Sequence, residues 1–318
     1  MSVVIAFAVA AILTPIVAKI GVRLGLVDRP GPLKIHDRPI PVAGGPGLAA
    51  AALVAFAVTG HGEPWIAAAA AVGLAGGLID DVRPLHVWVR LVVQAAAGGL
   101  LVAGGLSLEP LGALGGAGLV LATVACCNAV NMVDGQDGLA SGLGACAALG
   151  IAGVLESTGF AGALPLALAG ALLGFLMWNR PPARVFLGDG GTYAVGVLLA
   201  ASAGQASIGG WHGLLATGAC LGVFAYELVS TVARRLASST PAAVGDRNHS
   251  YDRLAVRLGS RARSTLLMWA LGAASSAIGI AVVRMDPVPG LVLVMAVAAL
   301  TGLLDVRLIP VSLAKEDR

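Results

Sequence analysis

Residues 2–22 read SVVIAFAVAAILTPIVAKIGV, a run in which Lys19 is the only charge. A helix needs about 20 apolar residues to cross the hydrocarbon core of a bilayer, so this stretch sets the class of fold before any motif is considered. Lys19 and Arg23 follow the apolar run rather than precede it, which argues for a retained first span rather than a cleaved signal. The rest of the chain has the same character. Of 318 residues, 58% are hydrophobic and 12% charged, and the mean hydropathy is +0.90. A water-soluble globule cannot hide that much apolar surface, because surface-to-volume scaling demands a mostly polar exterior. Disorder is excluded for the opposite reason.

Cutting the chain at charges, prolines and polar clusters predicts eleven spans, at about 2–22, 43–60, 64–80, 87–105, 109–127, 139–156, 160–178, 191–209, 211–233, 264–284 and 288–306. The fold class is therefore all-α, a polytopic membrane domain covering 1–318. Its 45 glycines suit helices that approach one another closely. With eleven spans the loops alternate between two sides, and every one of the 20 Lys and Arg except Arg284 falls on the same side. The positive-inside rule makes that side cytoplasmic, with the N-terminus outside and the C-terminus inside. The cytoplasmic loops then lie near 23–42, 81–86, 128–138, 179–190 and 234–263. A net charge of +3 gives no reason to expect nucleic acid. Cys126, Cys127, Cys146 and Cys220 lie in apolar runs without metal-ligand spacing, and read as small buried residues.

Five carboxylates stand at the inner ends of spans, where ionisable groups are costly and therefore suggest function. Asp80 and Asp81 close the third span in Gly77-Leu-Ile-Asp80-Asp81-Val-Arg83-Pro84. Adjacent helical positions point about 100° apart, so the two acids should have different roles. A helix C-terminus also disfavours a pair of acids. The second cluster is Asn128-Ala-Val-Asn131-Met-Val-Asp134-Gly-Gln-Asp137-Gly-Leu139. Its oxygen-bearing side chains suit a hard cation such as Mg²⁺, and Gly135 and Gly138 are expected to break the helix and wrap the chain around a ligand. The third is Phe186-Leu-Gly188-Asp189-Gly-Gly191-Thr192. Asp189 there either caps the eighth span or holds a metal beside helix amides that face a phosphate. Like charges gathered together need a neutralising cation or basic groups. Two basic segments supply candidates: Asp28–Pro41, with Lys34 and His36, and Gly245–Leu254, with Arg247, His249 and Arg253. Glu227, inside the ninth span, lies near the inner interface or pairs with a buried partner.

Taken in order, these segments resemble the polyprenyl-phosphate N-acetylhexosamine-1-phosphate transferase family. The resemblance rests on Lys34-x-His36 with Gly44-Gly45, then Asp80-Asp81, Asn-x-x-Asn-x-x-Asp-Gly-x-Asp-Gly-Leu at 128–139, Phe-x-Gly-Asp-Gly-Gly-Thr at 186–192, and the His249 loop. It implies transfer of a sugar-1-phosphate from a UDP-N-acetylhexosamine to a polyprenyl phosphate in the bilayer, with release of UMP and a need for Mg²⁺, for which Mn²⁺ could substitute. It also implies a cytoplasmic site in the inner membrane serving a lipid-linked envelope glycan. By motif matching, Asp189 and Asn131 are expected as metal ligands, and Asp80, with Asp81 beside it, as a base or lipid-phosphate positioner. Asp134 and Asp137, with Asn128, are expected to shape the nucleotide-sugar site. Lys34, His36, Arg247, His249 and Arg253 are expected to bind substrate. Family members commonly carry two or three histidines in the last loop, where this chain reads Asn248-His249-Ser250-Tyr251-Asp252. That departure favours an N-acetylglucosamine-type over a muramoyl-pentapeptide-type donor. The oligomeric state is left open, a homodimer included.

An ion-coupled transporter is the rival reading, but it would place its acids near the midplane on broken helices related by an internal repeat. Here the acids collect at one face and no repeat is visible. An intramembrane aspartyl protease would need glycine where Phe186 stands.

Overall fold

The computed structural model describes residues 1–30, 37–238 and 248–291. The protein is an all-α, multi-pass membrane protein. Its helices are α1 (Ser2–Arg23), α2 (Gly44–Phe56), α3 (Pro64–Val82), α4 (Val87–Ala103), α5 (Gly115–Val133) and α6 (Leu139–Ser157), followed by α7 (Ala163–Asn179), α8 (Gly188–Ser207), α9 (Gly210–Cys220), α10 (Gly222–Ser238), α11 (Ser250–Leu258) and α12 (Arg261–Val282). By length and composition, six helices can cross a bilayer, or seven when the bent pair α9–α10 is taken as one span. The shorter α4 and α7 are also apolar. The eleventh predicted span, 288–306, lies mostly outside the described residues.

Lipid explains which helices are the most apolar. On α1 the outward face carries Val4, Ile12, Ile16 and Ile20, all about half exposed or more, a pattern tolerable only in a hydrocarbon environment. Every residue of α8 from Gly190 to Gly204 is buried, because α2, α3, α5 and α9 surround it. This central helix meets protein instead of lipid, so it can be less apolar. In the bilayer each backbone polar group must find a partner inside the protein. Pro15 in α1 cannot donate to Ala11, and the indole Nε1 of Trp178 on α7 donates to the Ala11 carbonyl instead, at 2.9 Å.

Close packing depends on glycine where α8 begins. A β-carbon on Gly77 of α3 would collide with the backbone of Asp189 and Gly190, and one on Gly45 of α2 with that of Gly191. Two short strands, β1 (Val27–Asp28) and β2 (Ile40–Pro41), pair antiparallel with Val27 opposite Pro41. The chain after β2 continues into the third motif, since the Phe186 N–H donates to the Pro41 carbonyl at 2.9 Å and the Gly44 N–H to the Phe186 carbonyl at 3.0 Å.

Two boundaries differ from the sequence reading. The fifth span begins later and runs further than 109–127, because a 3₁₀ turn occupies Glu109–Leu114 and α5 continues to Val133. The expected 128–138 loop therefore shrinks to 134–138, and Asn128 and Asn131 sit on helix. The ninth span, expected as one helix over 211–233, is broken at Leu221 and bent by 68°. Apolar composition alone gave no sign of the break.

Candidate active site

Helices α1, α3, α5 and α7 end, and α2, α6 and α8 begin, around one cavity of about 1080 Å³. All five acids singled out in the sequence line it: Asp80, Asp81, Asp134, Asp137 and Asp189. Asp28, Asp37 and Asp252 join them, against Arg38 as the basic residue among the described lining.

The first two acids do have different partners. Asp80 is buried and held by donors on every side: the Leu85 N–H at 2.7 Å, the Tyr193 hydroxyl at 3.2 Å and the Arg90 guanidinium at 2.8 Å. Arg90 also donates to the Leu85 carbonyl at 3.1 Å, which fastens the start of α4 over the end of α3. Asp81, one position along, faces the N-terminus of α8 and accepts the Asp189 N–H at 2.8 Å and the Gly190 N–H at 3.1 Å. Unpaired first-turn amides are a helix's anion site, and here a carboxylate of the chain already occupies two of them. The expectation that these amides face a phosphate is corrected accordingly. The other expectation for Asp189, that it caps its own helix, also gives way, because Asp189 lies within the first turn and Asp81 is the cap.

Asn131, in the last turn of α5, donates from Nδ2 to Asp189 Oδ1 at 2.6 Å. The two expected metal ligands are therefore in direct contact. Asn128, three residues earlier, turns away from the cavity and donates to Gln94 Oε1 of α4 at 2.7 Å. Asp134 follows the last turn of α5, and Gly138, with φ of +73°, turns the chain into α6. Loss of water pushes the Asp134 carboxyl well above the usual range, with further increments from the charges of Asp189, Asp81 and Asp137. Asp137 Oδ2 accepts the Ala183 N–H at 2.8 Å. Beside it, Asn179 accepts from the Gly138 N–H at 3.1 Å and the Ser141 hydroxyl at 2.8 Å, and donates to the Val185 carbonyl at 3.0 Å. These bonds tie the 134–138 loop to the segment leading into α8.

His249 and Arg253 are buried and do not line the cavity, whereas Tyr251 and Asp252 do. Lys34, His36 and Arg247 lie outside the described residues. Sequence reasoning missed the supporting partners Arg90, Gln94, Asn179, Tyr193 and Tyr251. Arg90, Gln94 and Asn179 were visible as polar residues in apolar runs, but Tyr193 and Tyr251 carried no signal.

The donor set suits a hard divalent ion. Mg²⁺ takes oxygen ligands and is held by one or two carboxylates together with substrate phosphates rather than by an all-protein cage. Among the described residues no three acidic, His or Cys side chains form a ready cluster, so an ion here would draw on one or two carboxylates and on substrate oxygens.

A sequence profile described as Glycosyl transferase family 4 matches residues 64–206. The chain is similar to the Decaprenyl-phosphate N-acetylglucosaminephosphotransferase of Mycobacterium tuberculosis (strain CDC 1551 / Oshkosh), at 31% identity over 309 residues, 80% of this chain and 76% of that one. It is similar to the Undecaprenyl-phosphate alpha-N-acetylglucosaminyl 1-phosphate transferase of Yersinia pestis, at 31% identity over 298 residues, 85% of this chain and 80% of that one. A Probable undecaprenyl-phosphate N-acetylglucosaminyl 1-phosphate transferase of Bacillus subtilis (strain 168) is 29% identical over 280 residues, 82% of this chain and 78% of that one.

Proposed function

Because the chain belongs to the polyprenyl-phosphate N-acetylhexosamine-1-phosphate transferases of glycosyl transferase family 4, we propose that it moves N-acetylglucosamine-1-phosphate from UDP-N-acetylglucosamine to a polyprenyl phosphate, releasing UMP. One observation carries the reading: acids from α3, the α5–α6 loop and α8 gather in a single cavity at one end of an apolar helical bundle. The acceptor's isoprenoid tail can remain in lipid beside that bundle while its phosphate reaches the polar rim. A transporter has less support, since its acids belong at mid-membrane.

Asp189 and Asn131 would hold Mg²⁺, with Mn²⁺ as a substitute. The ion would supply neutralisation of the diphosphate and of the leaving UMP. The protein's own contribution is positioning, which dominates phosphoryl transfer. Asp80, immobilised by Arg90 and Tyr193, orients the loop into α4 at the point where the lipid phosphate approaches. Asp81 holds the start of α8 so that Asp189 faces the cavity. Asp134 and Asp137 shape the nucleotide-sugar side, with Lys34, His36 and Arg247 countering phosphate charge, while His249 and Arg253, buried outside the cavity lining, act from behind its wall. The attack is direct, from the lipid phosphate oxygen on the sugar-bearing phosphorus. Eleven crossings with the N-terminus outside would put the cavity on the cytoplasmic face of the inner membrane, where its loops carry Arg83, Arg180 and Arg184, and where a lipid-linked envelope glycan would begin.

The test is UMP release by purified protein given polyprenyl phosphate, Mg²⁺ and a panel of UDP-sugars. UDP-N-acetylglucosamine should be turned over with Mg²⁺ and not in EDTA, and Asp189→Asn should lose at least about a hundredfold in rate, on the scale of removing one preorganised charged group. Absence of UMP with every donor would overturn the reading.

A further inference from the structure

Glu227 is fully buried in α10, and nothing in the scheme above uses it. A carboxylate inside a membrane helix is costly and is retained where it pairs with something. Its Oε2 lies 3.4 Å from Nδ1 of His249. One turn along the same face of α10, Thr231 Oγ1 lies 3.3 Å from that same nitrogen, and Thr231 already accepts from Arg234 Nη2 at 3.3 Å. The imidazole in turn stacks on Tyr251, with ring centroids 5.2 Å apart and planes within 2°. Tyr251 lines the cavity, and its hydroxyl donates to the Met132 carbonyl at 2.9 Å, beside Asn131. Its own carbonyl accepts from Gln136 at 3.2 Å and Ser264 at 2.7 Å.

We propose that Glu227 is a positioning residue whose carboxylate accepts the Nδ1–H of His249, locking one tautomer and ring plane and thereby holding Tyr251 against the α5–α6 loop. The chemistry selects this arrangement. A carboxylate oxygen of Glu227 stands 3.4 Å from Nδ1, so an Nδ1 lone pair would face an oxygen lone pair in a dry interior, where a mismatch is costly. In this geometry Nδ1 is hydrogen-bonded to Thr231 Oγ1 and lies within ion-pair reach of Glu227. The two buried oxygens of Glu227 have no hydrogen-bond partner among the described residues, so a small rotation of the ring lets an Nδ1–H serve the carboxylate as well. Carboxylates that orient a functional imidazole through its second nitrogen are a recurring device. The assignment also explains why the kinked second half of the ninth span carries an acid: it supplies the back of the wall that ends in Tyr251 and Asp252.

The kinetic arm of the test rests on the transferase reading; the spectroscopic arm does not. ¹⁵N-histidine spectra of the full-length protein in lipid, with His249 assigned by its loss in His249→Asn, should show the Nδ1–H tautomer. Glu227→Gln, of equal size, should lose that single tautomer, and kcat/KM for the UDP-sugar should fall about 10–100-fold, as for partners that orient a ligating group, while KM for polyprenyl phosphate holds. An Nε2–H tautomer in the wild type overturns the proposal, as does a Glu227→Gln protein with wild-type spectrum and kinetics. A tautomer that moves in Thr231→Val but not in Glu227→Gln also overturns it, by assigning Nδ1 as acceptor from the hydroxyl. Should the wild type make no product, the functional reading fails while the tautomer result still decides the role of Glu227.

Discussion

Asp80 and Asp81 differ by one position and carry out different tasks. Helical geometry turns the first toward Arg90 and Tyr193 and the second toward the amides of α8. The sequence predicted that they would diverge, but the identity of their distant partners, Tyr193 at 113 residues and Asp189 at 108, was beyond it. Asp134 offers a test at this scale. Its folded carboxyl is raised, chiefly by loss of water, so between the unfolded value near 4 and the raised folded value the native state binds more protons than the unfolded one. Stability must then fall as pH rises through that window. In cation-free micelles, Asp134→Asn should be at least as stable as the wild type at neutral pH and should show a weaker decline in Tm from about pH 4 upward, measured by thermal unfolding across a pH series.

Among the elements, α8 governs the site. It is enclosed by neighbours, and its first turn meets α2 and α3 through glycines on both sides. Adding a methyl at Gly77 would drive α3 away from Asp189, and overpacking of this kind costs about 1–3 kcal/mol. Gly99 on α4 is the control, since a β-carbon there meets nothing within 4 Å. Gly77→Ala should therefore lower Tm and activity together, whereas Gly99→Ala should leave activity intact and change stability by less than about 1 kcal/mol, in the stabilising direction. Thermal unfolding and UMP release on the two variants check the contrast. Helix positions were largely legible because an apolar run bounded by charge is a local property. The break at Leu221 was not legible, because a kink flanked by apolar residues on both sides leaves the composition unchanged.

Across the whole molecule, the same end that gathers the acids also carries the arginines of the loops at 83 and 180–184. If that end is cytoplasmic, single cysteines at Arg83 and Arg180, in a cysteine-free background, should be closed to a membrane-impermeant thiol reagent in intact cells and open after permeabilisation. A cysteine at Glu63 or Glu109, on the opposite loops, should be labelled from outside. The reverse pattern would invert the molecule.

The sequence by itself determined that this is an all-α membrane protein and marked the polar segments that matter, because hydropathy, charge placement and motif spacing are read along the chain. Only the tertiary structure decided that Asp81 caps α8, that Asn131 reaches Asp189 while Asn128 turns to Gln94, and that His249 stands behind Tyr251 against Glu227. The reason is geometric: each partnership joins residues on separate helices, and which faces of those helices meet is set by the packing of small residues in three dimensions, a quantity that one-dimensional spacing does not contain.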